Sequence, residues 1–247
     1  AYLSVACGVG IVVPMDKSLP ANELEEVIER SEVEAIIYSR KYEETIKKIK
    51  YSEKNKLKHL ISMDADIHDE GIYSEKELIE KGKELVDAGN REYIDVKINP
   101  EEMRIMLFTS GTTSKSKVVA LSHKNLISNV MDFASVVDVD SSDRMLSFLP
   151  LHHVYECTVG MLVSLYVGAE RSFCDGIRHI VENLNEYKIS YAAFVPAIYE
   201  IMYKNIWKML EKKGKVEETK ELMQKYKNKS MQEKKEVFQD IHNMYGG

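Results

Sequence analysis

Cysteine is scarce in this sequence, which holds three cysteines in 247 residues. Cys7, Cys157 and Cys174 are odd in number and widely spaced, and no C-x-x-C motif occurs. This set does not suggest a disulfide framework, which needs an even number of cysteines. We interpret all three as reduced thiols in the core of a cytoplasmic protein.

An excess of basic residues is also missing, because the formal net charge is −6. Nucleic-acid binding normally needs a basic face, so nucleic acid is not expected as a main partner. The apolar start, residues 1–14, has no basic opening and is shorter than the roughly 20 residues that a membrane-spanning helix needs. We expect a helix end, a glycine turn and a buried strand over 11–13 there, as in a chain that begins inside a domain.

The sequence does have the composition of a globular protein, with 44% hydrophobic and 30% charged residues. Its length suffices for one large domain or two ordinary ones. Apolar runs alternate with amphipathic segments, which predicts an α/β fold of doubly wound, largely parallel sheets flanked by helices. The predicted strands cover residues 35–38, 60–63, 105–108, 118–121, 145–148, 171–173 and 191–195. The predicted helices cover residues 20–31, 41–50, 74–86, 123–135, 154–166 and 177–187.

The composition changes at Pro196, which suits the first position of a helix. We expect an α/β portion over 1–195 and a helical excursion over 196–247. Ser230 and Glu233 match a capping box within the second portion. A basic amphipathic helix can bind a membrane surface, so peripheral membrane contact is one interpretation. Interspersed acidic residues favour the other, a helix that packs one face and exposes the other to solvent.

A polar loop between two apolar runs is the most informative feature of the chain. It begins at Thr109, ends at Lys117, and lies between the strands predicted over 105–108 and 118–121. Backbone N–H groups, hydroxyls and lysine ammonium groups in such a loop are suited to hold phosphate. The other candidate phosphate-binding residues are Ser110, Gly111, Thr112, Thr113 and Ser114.

This loop departs from the Walker A phosphate loop, G-x-x-x-x-G-K-[ST]. Lys117 stands at the lysine position, but Ser116 replaces the second glycine and Val118 replaces the final Ser/Thr. A strand also follows the loop, where Walker A opens a helix. A P-loop kinase or GTPase is therefore not favoured.

The spelling T-S-G-T-T-S-K-S-K-V-V-A-L-S-H resembles the AMP-binding signature of the adenylate-forming enzymes. The usual spelling in that family is T-S-G-T-T-G-x-P-K-G-V-x-L-S-H. This sequence has Ser114 and Val118 where the family usually has glycine, and Ser116 where it usually has proline. The resemblance implies that Thr109 and Lys117 take part in catalysis and that the loop holds the β- and γ-phosphates of ATP.

A second candidate group lies over residues 149–156, where His153 and Glu156 share a helix face at i and i+3. A metal site would need a third ligand at a sensible spacing, and none is present. A histidine paired with a carboxylate at a helix start is another interpretation. The segment resembles the L-P-x-x-H-x-x-E stretch of the same family, which implies that His153 is a catalytic residue on the substrate side. Glu156 would support the substrate wall beside it.

Residues 194–203 resemble the V-P-x-x-x-E-x-x-Y stretch of long-chain acyl-CoA synthetases. The resemblance implies a ligase that activates a fatty carboxylate with ATP and transfers the acyl group to coenzyme A, with Mg²⁺ bound by residues outside this chain. The family's Y-G-x-T-E stretch and its C-terminal lid lysine are not in this sequence. We therefore expect part of an N-terminal domain that is inactive as an isolated chain, with no prediction of its oligomeric state.

Two alternatives stay open. The first is an adenylation domain for an amino acid or an aryl acid, against which the helical excursion argues. The second is a nucleotide- or lipid-binding module without catalysis, suggested by Ser114, Ser116 and Val118.

Overall fold

The computed structural model describes residues 1–52, 54–66, 68, 71–109 and 116–246. The chain forms two compact units, Ala1–Ser128 and Asn129–Gly247. The boundary between these units, at 128/129, is not the boundary predicted at 195/196. The predicted boundary divides an α/β portion from a helical portion, and it stays a prediction. The predicted class, an α/β fold with parallel sheets flanked by helices, is confirmed.

The first unit contains both strands and helices. Its described strands are β1 Ala35–Tyr38, β2 His59–Ser62, β3 Ile72–Ser74, β4 Met103–Thr109 and β5 Lys117–Ser122. Its described helices are α1 Tyr2–Ser4, α2 Ala21–Ser31, α3 Glu43–Lys50, α4 Glu75–Asp87 and the start of α5 His123–Val136, with a π-helical turn over Val5–Val9 and a 3₁₀ turn over Arg40–Tyr42.

Strands β1, β2 and β3 form a parallel sheet in that order. Its core holds Ile28 of α2, Ile46 of α3 and Leu60 of β2, all almost fully buried. Apolar residues at helical spacing therefore turn one face of each helix towards the sheet. Ser74 caps α4, because its hydroxyl accepts a hydrogen bond from the backbone N–H of Glu77.

Strands β4 and β5 form an antiparallel pair that carries the two ends of the polar loop. Ile105 and Leu107 are buried on one face, which gives β4 the alternation of a half-buried strand. The buried strand predicted over 11–13 is wrong, since Val12 makes only an isolated parallel bridge to Ile105. Val12 uses both its N–H and its carbonyl there, and Pro14, the next residue on that side, has no N–H to continue the ladder.

The second unit contains a parallel sheet of order β7-β6-β8. Its described strands are β6 Arg144–Ser147, β7 Glu170–Phe173 and β8 Tyr191–Ala192. The described helices before the tail are a π-helix Glu156–Leu162, α6 Val163–Val167, a 3₁₀ turn Ile177–His179 and α7 Ile180–Glu186. Leu146 of β6, Ile180 of α7 and Ile198 share one buried cluster, so the sheet and its helices have a common core.

Every described element after Val195 is a helix, beginning with Pro196 at the first helical position. These helices are α8 Pro196–Lys212, α9 Val216–Lys225, α10 Met231–Val237 and α11 Gln239–Met244. The predicted capping box is confirmed, because Ser230 and Glu233 exchange hydrogen bonds between side chain and backbone. Among the described residues, no helix combines the length and apolar character needed to cross a membrane.

Candidate functional site

The β4–β5 pair holds the two described ends of the polar loop opposite each other. Thr109 and Lys117 are partners in the antiparallel register, and both are exposed. Their side chains therefore stand at the same end of the ladder, where a phosphate group can reach a hydroxyl and an ammonium together. The remaining candidate residues, Ser110, Gly111, Thr112, Thr113 and Ser114, lie outside the described residues.

Arg30 contacts Ser116 within this loop and Phe108 just before it, although nothing in the sequence pattern pointed to Arg30. Its Nη1 donates to Ser116 Oγ at 3.0 Å and its Nη2 donates to the Ser116 carbonyl at 2.8 Å. Its guanidinium carbon also lies 5.3 Å from the centroid of the Phe108 ring. Arg30 and Ser116 are 86 positions apart, so no local spacing could reveal the contact.

The residues that follow β5 have local structural partners. Ser122 caps α5, because its Oγ accepts a hydrogen bond from the backbone N–H of Asn125 at 3.2 Å. His123 Nε2 lies 3.1 Å from the carbonyl oxygen of Ala6. The Leu-Ser-His end of the motif therefore links the β4–β5 hairpin to α5 through Ser122 and to the start of the chain through His123.

In the second unit, His153 is exposed at the start of a helix. Its backbone N–H donates to the Pro150 carbonyl, and its own carbonyl accepts from the backbone N–H of Cys157, both at 3.0 Å. The His153 ring packs on that of His152, with the ring centroids 4.2 Å apart. Backbone hydrogen bonds thus fix the position of the His153 backbone, while its side chain is exposed to solvent.

Glu156, one turn further on, is fully buried, with 0% of its surface exposed. The Ser147 hydroxyl at the end of β6 donates to Glu156 Oε1. A π-helix begins at Glu156, where the apolar pattern predicted an ordinary α-helix. Gly160 leaves room for the carboxyl, since a Cβ there would lie 2.6 Å from Glu156 Cδ. The role of Glu156 beside the substrate stays a prediction. Its carboxyl is hydrogen-bonded to Ser147 of β6 and lies against Gly160 of its own helix.

Arg171 of β7 and Tyr191 of β8 add further polar groups to the interior of this unit. Among the described residues, Glu156 Oε2, Arg171 Nη1 and Tyr191 Oη are buried without a hydrogen-bond partner. Burial raises the pKa of Glu156, against the opposing effects of Ser147 and Arg171. Burial also lowers the pKa of Arg171 and raises the pKa of Tyr191. A carboxyl in this setting favours its protonated form more than an exposed one does.

This burial predicts how Glu156→Gln changes the pH dependence of stability. The pKa of Glu156 in the folded chain lies above its ordinary value of 4.5, so ionising it opposes folding. The wild-type protein should lose stability as pH rises from that ordinary value through the raised pKa, by about 1.4 kcal/mol for each unit of pKa difference. The Glu156→Gln variant, whose side chain stays neutral, should not show that loss.

Urea denaturation of both proteins between pH 4 and pH 8 measures this difference. The free energy of unfolding of Glu156→Gln minus that of wild type should increase as pH rises. Glu170→Gln is a matched control, because Glu170 is exposed in the same unit and pairs with Arg144 at 3.3 Å. A difference between Glu156→Gln and wild type that stays constant with pH, or that decreases as pH rises, would contradict the prediction.

The two candidate groups belong to different compact units. Thr109 and Lys117 lie in the first, and His153 and Glu156 lie in the second. In the part of the chain that the structure describes, no group of three His, Cys, Asp or Glu residues could hold a metal ion. The Mg²⁺ ligand predicted to lie outside the chain stays a prediction.

Comparison with known proteins adds an independent finding. Residues 1–246 match the family described as AMP-binding enzyme. The chain is 31% identical over 144 residues to the chloroplastic long-chain-fatty-acid–acyl-carrier-protein ligase AEE15 of Arabidopsis thaliana, a match over 56% of the chain and 20% of that protein. It is 33% identical over 124 residues to 4-coumarate–CoA ligase 1 of Solanum tuberosum, over 47% of the chain and 22% of that protein.

A solved structure shares the fold. The long-chain-fatty-acid–CoA ligase FadD1 of Archaeoglobus fulgidus superposes with a TM-score of 0.62 at 24% identity, over 76% of the chain and 35% of that protein. The chain spans about a fifth of the length of the two curated relatives, at 20% and 22%. The relatives' names include both fatty and aryl acids, so the family does not define one substrate.

Proposed function

Because this chain belongs to the AMP-binding enzyme family, we propose that the full-length protein is an ATP-dependent, AMP-forming ligase for long-chain fatty acids. The observation that carries the proposal is the Thr109–Lys117 pair at the loop end of the β4–β5 hairpin. A hydroxyl and an ammonium on facing strand ends suit the oxygens of a polyphosphate.

The proposed reaction has two steps. A carboxylate oxygen of the fatty acid attacks the α-phosphorus of ATP, a P–O bond forms, and the bond to the bridging oxygen of pyrophosphate breaks. The thiol of coenzyme A then attacks the acyl carbon, the bond to AMP breaks, and the thiol proton is released. Neither step needs a nucleophile from the protein, so catalysis comes from positioning and from stabilising charge.

Each candidate residue has a distinct part in this proposal. Lys117 and Thr109 hold the pyrophosphate portion, whose negative charge grows as it leaves. The exposed imidazole of His153 lies on the substrate side, at the start of a helix that backbone hydrogen bonds hold in place. Ser110, Gly111, Thr112, Thr113 and Ser114 are proposed to complete the phosphate-binding loop.

The long-chain fatty substrate is supported by the V-P-x-x-x-E-x-x-Y pattern at Val195 and by the helices that follow it. A second candidate is activation of an amino acid or an aryl acid, and similarity to a 4-coumarate–CoA ligase supports the aryl acid. The substitutions at Ser114, Ser116 and Val118 motivate the third, nucleotide or lipid binding without catalysis. Cytoplasmic location, small-molecule substrates and the lack of a nucleic-acid partner remain part of the proposal.

Carboxylate-dependent exchange of labelled pyrophosphate into ATP distinguishes these candidates in the full-length protein. Palmitate should support exchange better than 4-coumarate or any amino acid. Preference for 4-coumarate or an amino acid would replace the lead proposal with the second candidate, and ATP binding without exchange would favour the third. The isolated 247-residue chain should form no thioester from palmitate, ATP and coenzyme A.

A further inference from the structure

Arg30 stands on a rigid support beside the polar loop. It lies in the last turn of α2, whose residues Val27 and Ile28 are buried in the core of the first unit. Glu26, one turn earlier, lies 3.3 Å from Arg30 Nη1 and restrains the side chain further. The guanidinium therefore projects from a helix that packing holds in place, rather than from a second loop.

The three contacts of Arg30 lie on both sides of the hairpin, two with Ser116 just before β5 and one with Phe108 of β4. On the β5 side, its two terminal nitrogens donate to the hydroxyl and the carbonyl of Ser116, the residue just before Lys117. On β4, the guanidinium lies over the ring of Phe108, the residue just before Thr109. One side chain thus contacts the neighbours of both members of the Thr109–Lys117 pair.

The chemistry of these contacts is specific to arginine. Its planar fork offers two parallel donors to two oxygens of one residue, and its face can stack on an aromatic ring at the same time. Lysine offers a single point charge and cannot make all three contacts together. Ser116 is suited to the contact because it has a hydroxyl, where the usual spelling of the loop has proline.

We propose that Arg30 is a positioning residue that holds Thr109 and Lys117 in place for binding the phosphates of ATP. This inference rests on the proposed function. Proline stiffens a chain by restricting φ, and the Arg30–Ser116 hydrogen bonds supply a comparable restraint from outside the loop. Arg30 acts through the strand ends and need not contact the nucleotide.

The test compares Arg30→Ala with wild type in the full-length protein. Loss of two charge-assisted hydrogen bonds should raise the Kd for ATP and for pyrophosphate, and the KM for ATP, by about 10-fold. The KM values for palmitate and coenzyme A should stay within twofold of wild type. Arg91→Ala is the matched control, because Arg91 is an exposed arginine whose described partner is Asp95 on the next turn. It should change none of these constants.

Two further variants separate positioning from folding. Arg30→Lys should recover only part of the lost affinity, because it keeps the charge and loses the fork. Ser116→Pro added to Arg30→Ala should restore at least half of the lost affinity on a logarithmic scale, because the ring replaces the missing restraint. If Arg30→Ala does not fold, Ser116→Ala removes the hydroxyl contact alone and should weaken ATP binding about threefold.

The outcomes for this inference and for the proposed function differ. Wild-type protein that binds ATP but activates no carboxylate would overturn the proposed function, while weaker ATP binding by Arg30→Ala would still support positioning. An active wild type with Arg30→Ala within twofold of it in every ATP constant would overturn the inference alone. A wild type that binds neither ATP nor pyrophosphate would overturn both.

Discussion

Replacing Lys117 by alanine is expected to slow acyl-adenylate formation by the full-length protein about 100-fold. Lys117 begins β5 opposite Thr109, so its ammonium stands at the mouth of the loop, where it would meet the phosphates. In the proposed reaction, negative charge accumulates on departing pyrophosphate. A cation aimed at that charge stabilises the transition state more than the bound substrate, so kcat should fall. Because Lys117 also binds the phosphates of ATP, kcat/KM for ATP should fall further.

Pyrophosphate exchange with palmitate measures this effect, and two neighbouring variants sharpen it. Thr109→Val should lower exchange by about 10-fold through loss of the hydroxyl, while Thr109→Ser should stay close to wild type. Lys124→Ala is the matched lysine control, because Lys124 is exposed in the same unit and pairs with Glu101 at 2.6 Å. Exchange that survives Thr109→Val and Lys117→Ala unchanged would mean that the loop has no part in the chemistry.

Replacing Gly160 by alanine is expected to lower the free energy of unfolding of the second unit by about 2–3 kcal/mol. The new Cβ would lie 2.6 Å from both Cδ and Oε1 of Glu156, closer than real Cβ atoms approach heavy atoms. Glu156 cannot move away freely, since its carboxyl is fully buried and accepts a hydrogen bond from Ser147. Either the π-helix or the carboxyl must shift, and both changes disturb a packed interior.

Urea denaturation measures the free energy of unfolding of Gly160→Ala, with Gly82→Ala as the control variant. Gly82 lies within α4, and a Cβ there would meet nothing within 4 Å. Alanine should therefore raise helix stability by about 0.5–1 kcal/mol at that position. The Glu156→Ala change should cost less in the Gly160→Ala background than in wild type, because the two residues share one space. A Gly160→Ala protein as stable as wild type would contradict the crowded contact.

The secondary structure was largely predictable because its signals are local. The strand predicted over 35–38 is β1 Ala35–Tyr38, and the helix predicted from Ser74 is α4 Glu75–Asp87 with Ser74 as its cap. A helix does occupy most of the stretch predicted over 154–166, but its first part is a π-helix and only its second part is an α-helix. A π-helix and an α-helix differ by one residue in the hydrogen-bond register, and apolar periodicity over a few turns does not resolve that difference.

By itself, the sequence determined the alternation of strands and helices, the position of the polar loop between two strands, and the start of the helical tail at Pro196. Apolar periodicity, capping residues and proline act between neighbours in the chain, so their effects can be predicted without knowing the fold. Only the tertiary structure decided that Arg30 contacts Ser116 and that Glu156 lies buried between Ser147 and Gly160. The Arg30 contact joins residues 86 positions apart, and the burial of Glu156 depends on how a helix packs on its sheet. Distances of that kind follow from the packing of whole elements, which no short stretch of sequence specifies.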